Sequence, residues 1–318
     1  MFSLVASACG GSAGGGDTPT TPVVDNSLGR IDLTPAAPLA LVSGTTASVS
    51  ASGFTRDGRT LPAPSVTWNS SDANVASVTG GVVSARLVGS AQITATASGI
   101  TSAAVTVTVS AGAAAQLALR TQPGGAAHAL ALTTQPVVEV RDAAGNLVSS
   151  STLSVTVALA SGGGTLAGTA STNAVGGVAT FSGLSISGTA GQRTLGFSAT
   201  GVSAATSAAF SLAPGTPVLL AIRTPPVAGT AYAPFATSAA IEIRDGGGNL
   251  ATNSTASVTA AIASGGGAVG GAATVAAVAG VATFATLTVE GVAGARTLTF
   301  SSATLTPVTT AAFAVAAA

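Results

Sequence analysis

Two short stretches of the sequence contain residue types that could bind a metal ion or move a proton. They are VVEVRDAAGN, from 137 to 146, and AIEIRDGGGN, from 240 to 249. Each contains a glutamate and an aspartate three residues apart, and paired carboxylates are the groups that glycoside hydrolysis uses. Each also ends on an asparagine, whose side-chain oxygen could join the aspartate in binding calcium. The repetition means that either a site or a piece of scaffold is duplicated.

Catalysis would need partners that the chain hardly supplies. His128 is the only histidine, and its equivalent in the second copy is Ala231. A nucleophile–histidine–acid arrangement depends on such a histidine, yet Glu139 and Asp142 recur in the copy that lacks it. One Trp and one Tyr leave few aromatic side chains to hold a sugar substrate. We therefore expect no enzyme activity, no catalytic residue and no cofactor, and we expect His128 to occupy a solvated loop.

The first half of each stretch has the periodicity of a strand. Val138 and Val140 alternate with Glu139 and Arg141, so the valines should face a core and the charges should face water. An exposed Glu–Arg pair contributes about 0–1 kcal/mol, which favours a role in register and solubility.

The second half of each stretch has turn chemistry. The side chain of Asp142 can accept a hydrogen bond from a backbone N–H two residues on, and Gly145 can adopt a positive φ. A hairpin turn is favoured, so no metal is expected. Calcium is the alternative, with Asp142 and Asn146 as ligands in one copy and Asp245 and Asn249 in the other.

Both stretches belong to a long internal repeat. At a constant offset of 103, 43 of the 94 aligned positions from Leu119 to Leu212 are identical. A repeat of this length is typical of a β-sandwich rather than of a solenoid. Leu195 and Phe197 alternate with polar residues, and no segment has a helical apolar stripe. We predict an all-β chain with tandem antiparallel β-sandwiches.

The composition excludes some partners. Only 6% of the 318 residues are charged, and the net charge is zero without a single Lys. This leaves no electrostatic footprint for nucleic acid or for an anionic membrane surface. The uncharged segment from 269 to 289 is long enough to span a bilayer. Its equivalent from 166 to 186 is plainly polar, so we expect no internal membrane helix.

The N-terminal residues read MFSLVASAC, and Cys9 is the only cysteine. This segment resembles the lipobox of bacterial lipoproteins, in which small residues precede a cysteine that is lipidated. Ala6 stands where that motif usually has leucine, and no basic residue precedes the cysteine. The resemblance implies a lipid at Cys9, with residues 1–27 forming a truncated signal, the lipobox and a Gly/Thr/Pro tether. The membrane would be contacted only through this lipid.

The segment 66–78 reads VTWNSSDANVASV, and 88–96 reads VGSAQITAT. These residues resemble the bacterial immunoglobulin-like group 2 domain, with its W-x-S-S-D-x-x-V-A-x-V signature. The resemblance implies that residues 28–110 form a small sandwich of a kind found in bacterial surface proteins. It also implies a buried position for Trp68.

The repeated part carries the patterns V-x-V-x-D-x-x-G-N, G-V-A-T-F and A-G-x-x-T-L-x-F. Over 115–316 these resemble two tandem adhesin-type, group 1-like immunoglobulin-like repeats, which we call repeat A (115–213) and repeat B (218–316). An aromatic residue commonly sits where this chain has Arg193 and Arg296. We expect each arginine to lay its stem over the edge of the core and to send its charge to water.

Together with the resemblances, these features predict an all-β chain of three tandem immunoglobulin-like antiparallel β-sandwiches after a flexible N-terminal tether. Such a chain would be a bacterial cell-surface lipoprotein with a structural or adhesive role that spaces or presents a binding surface beyond the envelope. Its partner is expected to be a surface protein, a glycan or another copy of the chain. Two other classes remain as alternatives. One is a carbohydrate-binding module, for which Tyr232 is the aromatic candidate. The other is a subunit of an extracellular filament assembled through strand edges.

Overall fold

The structure is a computed structural model that describes residues 25–227 and 229–318. Cys9 and most of the tether therefore lie outside the described residues. All regular secondary structure in the described part is β-strand, in 31 strands, which confirms the all-β prediction. The chain divides into two compact units, Met1–Ser110 and Ala111–Ala318.

Among the described residues, none belongs to a helix with the length and apolarity that crossing a membrane would require.

The first unit is a sandwich whose strands alternate buried and exposed positions. One sheet has the order β2-β10-β8-β5 with β9 on β8, another has β3-β7-β6, and β1 pairs with β4. Only β2 and β10 run parallel, and facing antiparallel sheets of this kind are immunoglobulin-like. The strands are β1 (Arg30–Thr34), β2 (Leu39–Val42), β3 (Thr46–Ser48), β4 (Ser50–Phe54), β5 (Thr67–Ser70), β6 (Ala76–Thr79), β7 (Val82–Ala85), β8 (Gly89–Ala97), β9 (Ile100–Thr101) and β10 (Val105–Ser110).

The second unit begins with repeat A. Its sheets have the orders β11-β13-β17, β12-β21-β19-β14-β16 and β15-β18, and β20 adds to β19. Its strands are β11 (Gln116–Thr121), β12 (Ala126–Ala127), β13 (Val137–Arg141), β14 (Ser154–Ser161), β15 (Thr165–Ala167), β16 (Ser171–Asn173), β17 (Val178–Thr180), β18 (Ser185–Ser187), β19 (Gly191–Ser198), β20 (Ala205–Thr206) and β21 (Phe210–Ala213).

Repeat B follows the strand order of repeat A, except that the equivalent of β12 is reduced to a single bridge between Thr230 and Ala316. Its two larger sheets join into one path, β26-β24-β29-β30-β22-β23-β27. The join is the parallel pairing of Leu219 with Thr306; β31 adds to β29 and β25 pairs with β28. Its strands are β22 (Pro217–Thr224), β23 (Ala239–Asp245), β24 (Ser257–Ser264), β25 (Ala268–Gly270), β26 (Thr274–Ala276), β27 (Val281–Phe284), β28 (Thr288–Glu290), β29 (Gly294–Ser302), β30 (Leu305–Thr309) and β31 (Phe313–Val315).

Each of the three sandwiches has its own apolar core. The buried members of the three clusters fall within 31–109, 117–212 and 220–315. The cores of the repeats are built around a pair of phenylalanines from facing sheets. The ring centroids of Phe181 and Phe197 lie 5.6 Å apart, and those of Phe284 and Phe300 lie 5.0 Å apart. Leu, Ile, Val and Ala side chains pack around these rings, and the four phenylalanines are the largest fully buried side chains of the described residues.

The two arginines that were expected to reach water are buried instead. Arg193 and Arg296 expose only 3% and 4% of their surface. The guanidinium of Arg193 donates to the carbonyl oxygens of Gln192 and Thr189, and a Cβ on Gly162 would lie 2.6 Å from its Cδ. The expectation was wrong because the glycine loop closes over the side chain and backbone carbonyls take the place of water around the charge.

The Phe284–Phe300 pair predicts a large and local loss of stability. Phe300→Ala should destabilise repeat B by about 3–5 kcal/mol, because it leaves a large cavity in a closely packed apolar core. Val278→Ala is the matched control, since Val278 is 78% exposed, and it should cost less than about 0.5 kcal/mol. Native-state hydrogen exchange at Ile241 and Ile243 measures both effects. Equal losses in the two variants would contradict the placement of Phe300.

Candidate functional site

The residues proposed as calcium ligands form a buried hydrogen-bonded turn. Asp142 follows β13 and is 1% exposed. Its Oδ1 accepts the N–H groups of Ala144 and Asn146, each at 2.9 Å. Its Oδ2 accepts the side-chain amide of Asn146 at 2.9 Å and the N–H of Gly112, also at 2.9 Å. Gly112 belongs to the segment that enters repeat A, so the turn holds that segment as well as itself.

Repeat B reproduces this arrangement. Asp245 is fully buried, and its Oδ1 accepts the N–H groups of Gly247 and Asn249 at 2.9 and 2.8 Å. Its Oδ2 accepts the Asn249 amide at 2.9 Å and the N–H of Gly215 at 2.7 Å. Gly215 lies in the join between the repeats, at the same offset of 103 from Gly112. In both copies N–H hydrogens converge on the carboxylate, and such a field repels a cation.

The glutamates of the two stretches are occupied by arginines. Glu139 Oε2 accepts Nε and Nη2 of Arg141 at 3.0 and 2.7 Å, and Arg120 lies 3.9 Å from its other oxygen. Glu242 repeats this with Arg244 and Arg223. Each glutamate side chain is about nine-tenths buried, so the expectation that these carboxylates face water was wrong. The described residues contain no group of three or more His, Cys, Asp or Glu positioned to hold a metal.

Asn249 also connects repeat B to repeat A. Its Oδ1 accepts the N–H of Ala190 at 2.7 Å, and its Nδ2 donates to the carbonyl oxygen of Gly188 at 3.0 Å. One side chain therefore bonds within its own turn and to a loop of the preceding repeat. Both repeats belong to one compact unit, and these bonds fix the turn of one against the loop of the other.

His128 lies at this junction and not in a solvated loop, so that expectation was wrong. Its Nδ1 is 3.0 Å from both the N–H and the carbonyl oxygen of Gly188, so either tautomer bonds to this glycine. A Cβ on Gly247 would lie 2.5 Å from the imidazole Cε1, and one on Gly215 would lie 2.4 Å from the His128 carbonyl oxygen. The imidazole is held because the loop of its own repeat and the turn of the next one enclose it.

The electrostatics of the turn follow from these contacts. Burial of the Asp245 carboxyl acts to raise its pKa. The N–H of Gly215, the side-chain amide of Asn249 and the N–H groups of Asn249 and Gly247 outweigh that effect. They hold the pKa of Asp245 below its ordinary value, so the ionised form stabilises the fold.

The two aromatic candidates occupy different environments. Trp68 is partly buried and packs against the core of the first unit. Tyr232 is 63% exposed and has a φ of 67°.

Two features of the sequence mark the junction between the repeats. Gly112 and Gly215 recur at the repeat offset, which marks the joins as part of the repeated unit. The copies differ at both His128 and Gly247, where the equivalents are Ala231 and Ala144. These two differences are neighbours in space.

No protein family and no curated protein match the chain. Solved structures do match it. The Escherichia coli adhesin FdeC is 19% identical, with 90% of this chain and 96% of that chain covered and a TM-score of 0.40. InvD of Yersinia pseudotuberculosis is 14% identical over 90% and 96% of the two chains, with a TM-score of 0.32. Drosophila N-cadherin EC1-4 is 10% identical over 91% and 75%, also at 0.32. These comparisons assign the chain to no family.

The contact between His128 and Gly247 predicts a suppressor pair. Gly247→Ala should displace the imidazole from Gly188 and weaken the junction by about 1 kcal/mol, the worth of one hydrogen bond. His128→Ala in the same chain should remove the clash and restore most of the loss. Hydrogen exchange of the Ala190 amide reports the junction directly.

The matched control is Ala144→Gly, the reverse exchange at the equivalent position of repeat A. It should leave Ala190 exchange unchanged. Failure of His128→Ala to suppress Gly247→Ala would show that the two residues do not compete for space.

The lowered pKa of Asp245 predicts acid sensitivity at the join. Its stabilisation is complete above the ordinary aspartate pKa of about 4 and is lost as pH falls through the lower pKa of the folded state. Protection of the Gly215 amide, corrected for intrinsic exchange rates, should therefore fall below about pH 4. Asp245→Asn should weaken protection at neutral pH and flatten this dependence.

Asp72→Asn serves as the control, because Asp72 lies in the first unit and accepts an N–H within its own exposed turn. It should preserve the acid dependence at Gly215. An Asp245→Asn profile parallel to that of the unsubstituted chain would refute the assignment.

Proposed function

We propose that the chain is a bacterial cell-surface protein that spaces or presents a binding surface, held to the envelope by a lipid on Cys9. It acts by binding and positioning rather than by catalysis. Its partner is a surface protein, a glycan or another copy of the chain.

The observation that carries this proposal is the construction of the joins. In each repeat a buried aspartate takes a hydrogen bond from the glycine of the segment that leads into it, Gly112 with Asp142 and Gly215 with Asp245. Asn249 then bonds the following repeat to the preceding one. A flexible linker would let a distal domain fold back towards the surface. The junction between repeats A and B, pinned by part-buried hydrogen bonds, restricts that motion and supports presentation at a distance.

The composition supports the same proposal. The chain has little charge and many Ser and Thr, and hydroxyl pairs such as Thr259 with Thr274 and Ser264 with Thr297 lie on exposed sheet positions. The charges that are present serve strands and turns. Charged side chains that hold strands and turns in place suit a structural or binding protein better than an enzyme.

A carbohydrate-binding module is the second candidate, and the 63% exposure of Tyr232 favours it. Sugar rings stack on exposed aromatic faces, but one aromatic ring makes a small platform. Glycan-array binding that is lost in Tyr232→Ala would identify the partner as a glycan, and the proposed role at the cell surface would stay the same.

The anchor gives the proposal its test. When the gene is expressed with its own upstream DNA, metabolic labelling with a fatty acid should label the protein, and protease added to intact cells should remove it. Cys9→Ser should abolish the lipid label and release most of the protein from the cell envelope. Ser7→Ala, in the same segment, should retain the label. An unlabelled protein that resists protease on intact cells would overturn the proposal.

A further inference from the structure

The junction between the repeats has two complementary halves. Repeat B contributes the turn with Asn249. Repeat A contributes an acceptor end, formed by His128, Gly188 and Ala190. The asparagine amide bonds to the carbonyl oxygen of Gly188 and the N–H of Ala190, so most of the recognition uses backbone groups of the acceptor end. Any loop with the same backbone could receive the same turn.

Repeat B has an equivalent acceptor end, formed by Ala231, Gly291 and Ala293. Two of the backbone bonds that shape this end recur in both repeats. The N–H of Ala231 donates to the carbonyl oxygen of Ala316, as that of His128 does to Ala213.

The next residue continues the match. Tyr232 donates its N–H to Val289, as Ala129 does to Ile186, and the two donors have φ values of 67° and 60°. The backbone at 231–232 therefore follows the same path as at 128–129, although most side chains around it differ.

The side chains that differ make the acceptor end of repeat B more apolar. Thr189 becomes Val292 and Ala129 becomes Tyr232, and these are 81% and 63% exposed. They are among the most exposed large apolar or aromatic side chains of the described residues. Exposed apolar groups clustered at one end are typical of an interaction surface.

Repeat B has Ala231 at the position equivalent to His128. This difference changes which turns the acceptor end can accommodate. In repeat A the imidazole fills the space that a Cβ at position 247 would need, so the partner turn must carry glycine there. With Ala231 this restriction disappears. A turn with alanine at that position, as in Asp142-Ala-Ala144-Gly-Asn146, would fit as well as one with glycine.

We propose that the acceptor end of repeat B is a docking surface for an Asp-x-x-Gly-Asn turn carried by another immunoglobulin-like domain. The asparagine amide of that turn bonds to the carbonyl oxygen of Gly291 and the N–H of Ala293, and Val292 and Tyr232 are covered by the incoming domain. This surface is independent of the lipid anchor and of any role at the cell envelope.

The test adds a further repeat to the chain with the same spacing as at the junction between repeats A and B. Residues 1–316 are followed by a second copy of 214–318, so that the added repeat begins where repeat B begins after Ala213. Amide exchange of Ala293 is measured with and without the added copy. We expect exchange at least about tenfold slower in the extended chain, because a bonded amide exchanges only when the contact opens. An unchanged rate would overturn the proposal.

Two substitutions separate docking from general protection. Asn249→Ala in the added copy alone should return Ala293 to its original exchange rate, while Ala190 at the first junction stays protected in the same molecule. Val292→Asp in the acceptor end should have the same effect, and its exposure makes it compatible with folding. Slow exchange at Ala293 that persists in both variants would mean that the turn is not the docking element.

Discussion

The buried aspartate of the Asp-x-x-Gly-Asn turn is the interaction on which the organisation of the second unit depends. An isolated carboxylate is costly to bury. Asp245 is tolerated because backbone and amide N–H groups converge on it. Three of the donors belong to the turn and one to the join, so a single ionised group sets both the end of a strand and the entry of the chain. Loss of that charge would weaken several hydrogen bonds around the buried carboxyl group at once.

The conserved turn geometry also explains how a repeated domain is connected to its neighbour. Asn249 closes the turn with one side of its amide group and reaches Gly188 and Ala190 across the junction. The connection uses side-chain atoms of one repeat and backbone atoms of the other. Backbone recognition tolerates sequence change, which is why the loop 187–190 could diverge between copies while its shape persisted.

The buried arginines, like the buried aspartates, use their charge to hold the backbone. Arg193 and Arg296 donate to the carbonyl oxygens of Thr189 and Val292 in the bend that precedes their strands, and glycine loops cover them. Glu139 and Glu242 sit between two arginines each. Nearly every charge in the repeats therefore organises backbone or pairs strands, which leaves the outer faces to Ser, Thr and Ala.

The sequence by itself determined the all-β class, the duplication and the turn, because period-two alternation, a gapless offset and Asp/Gly/Asn chemistry are local properties. It also marked the phenylalanines as core residues. Only the tertiary structure decided that Asp245 holds the join, that Asn249 bridges two repeats, and that His128 and Gly247 share one space. Those contacts join residues dozens to more than a hundred positions apart, and no local pattern encodes them. The arginines were misplaced for the same reason, since the loops that cover them are distant in sequence.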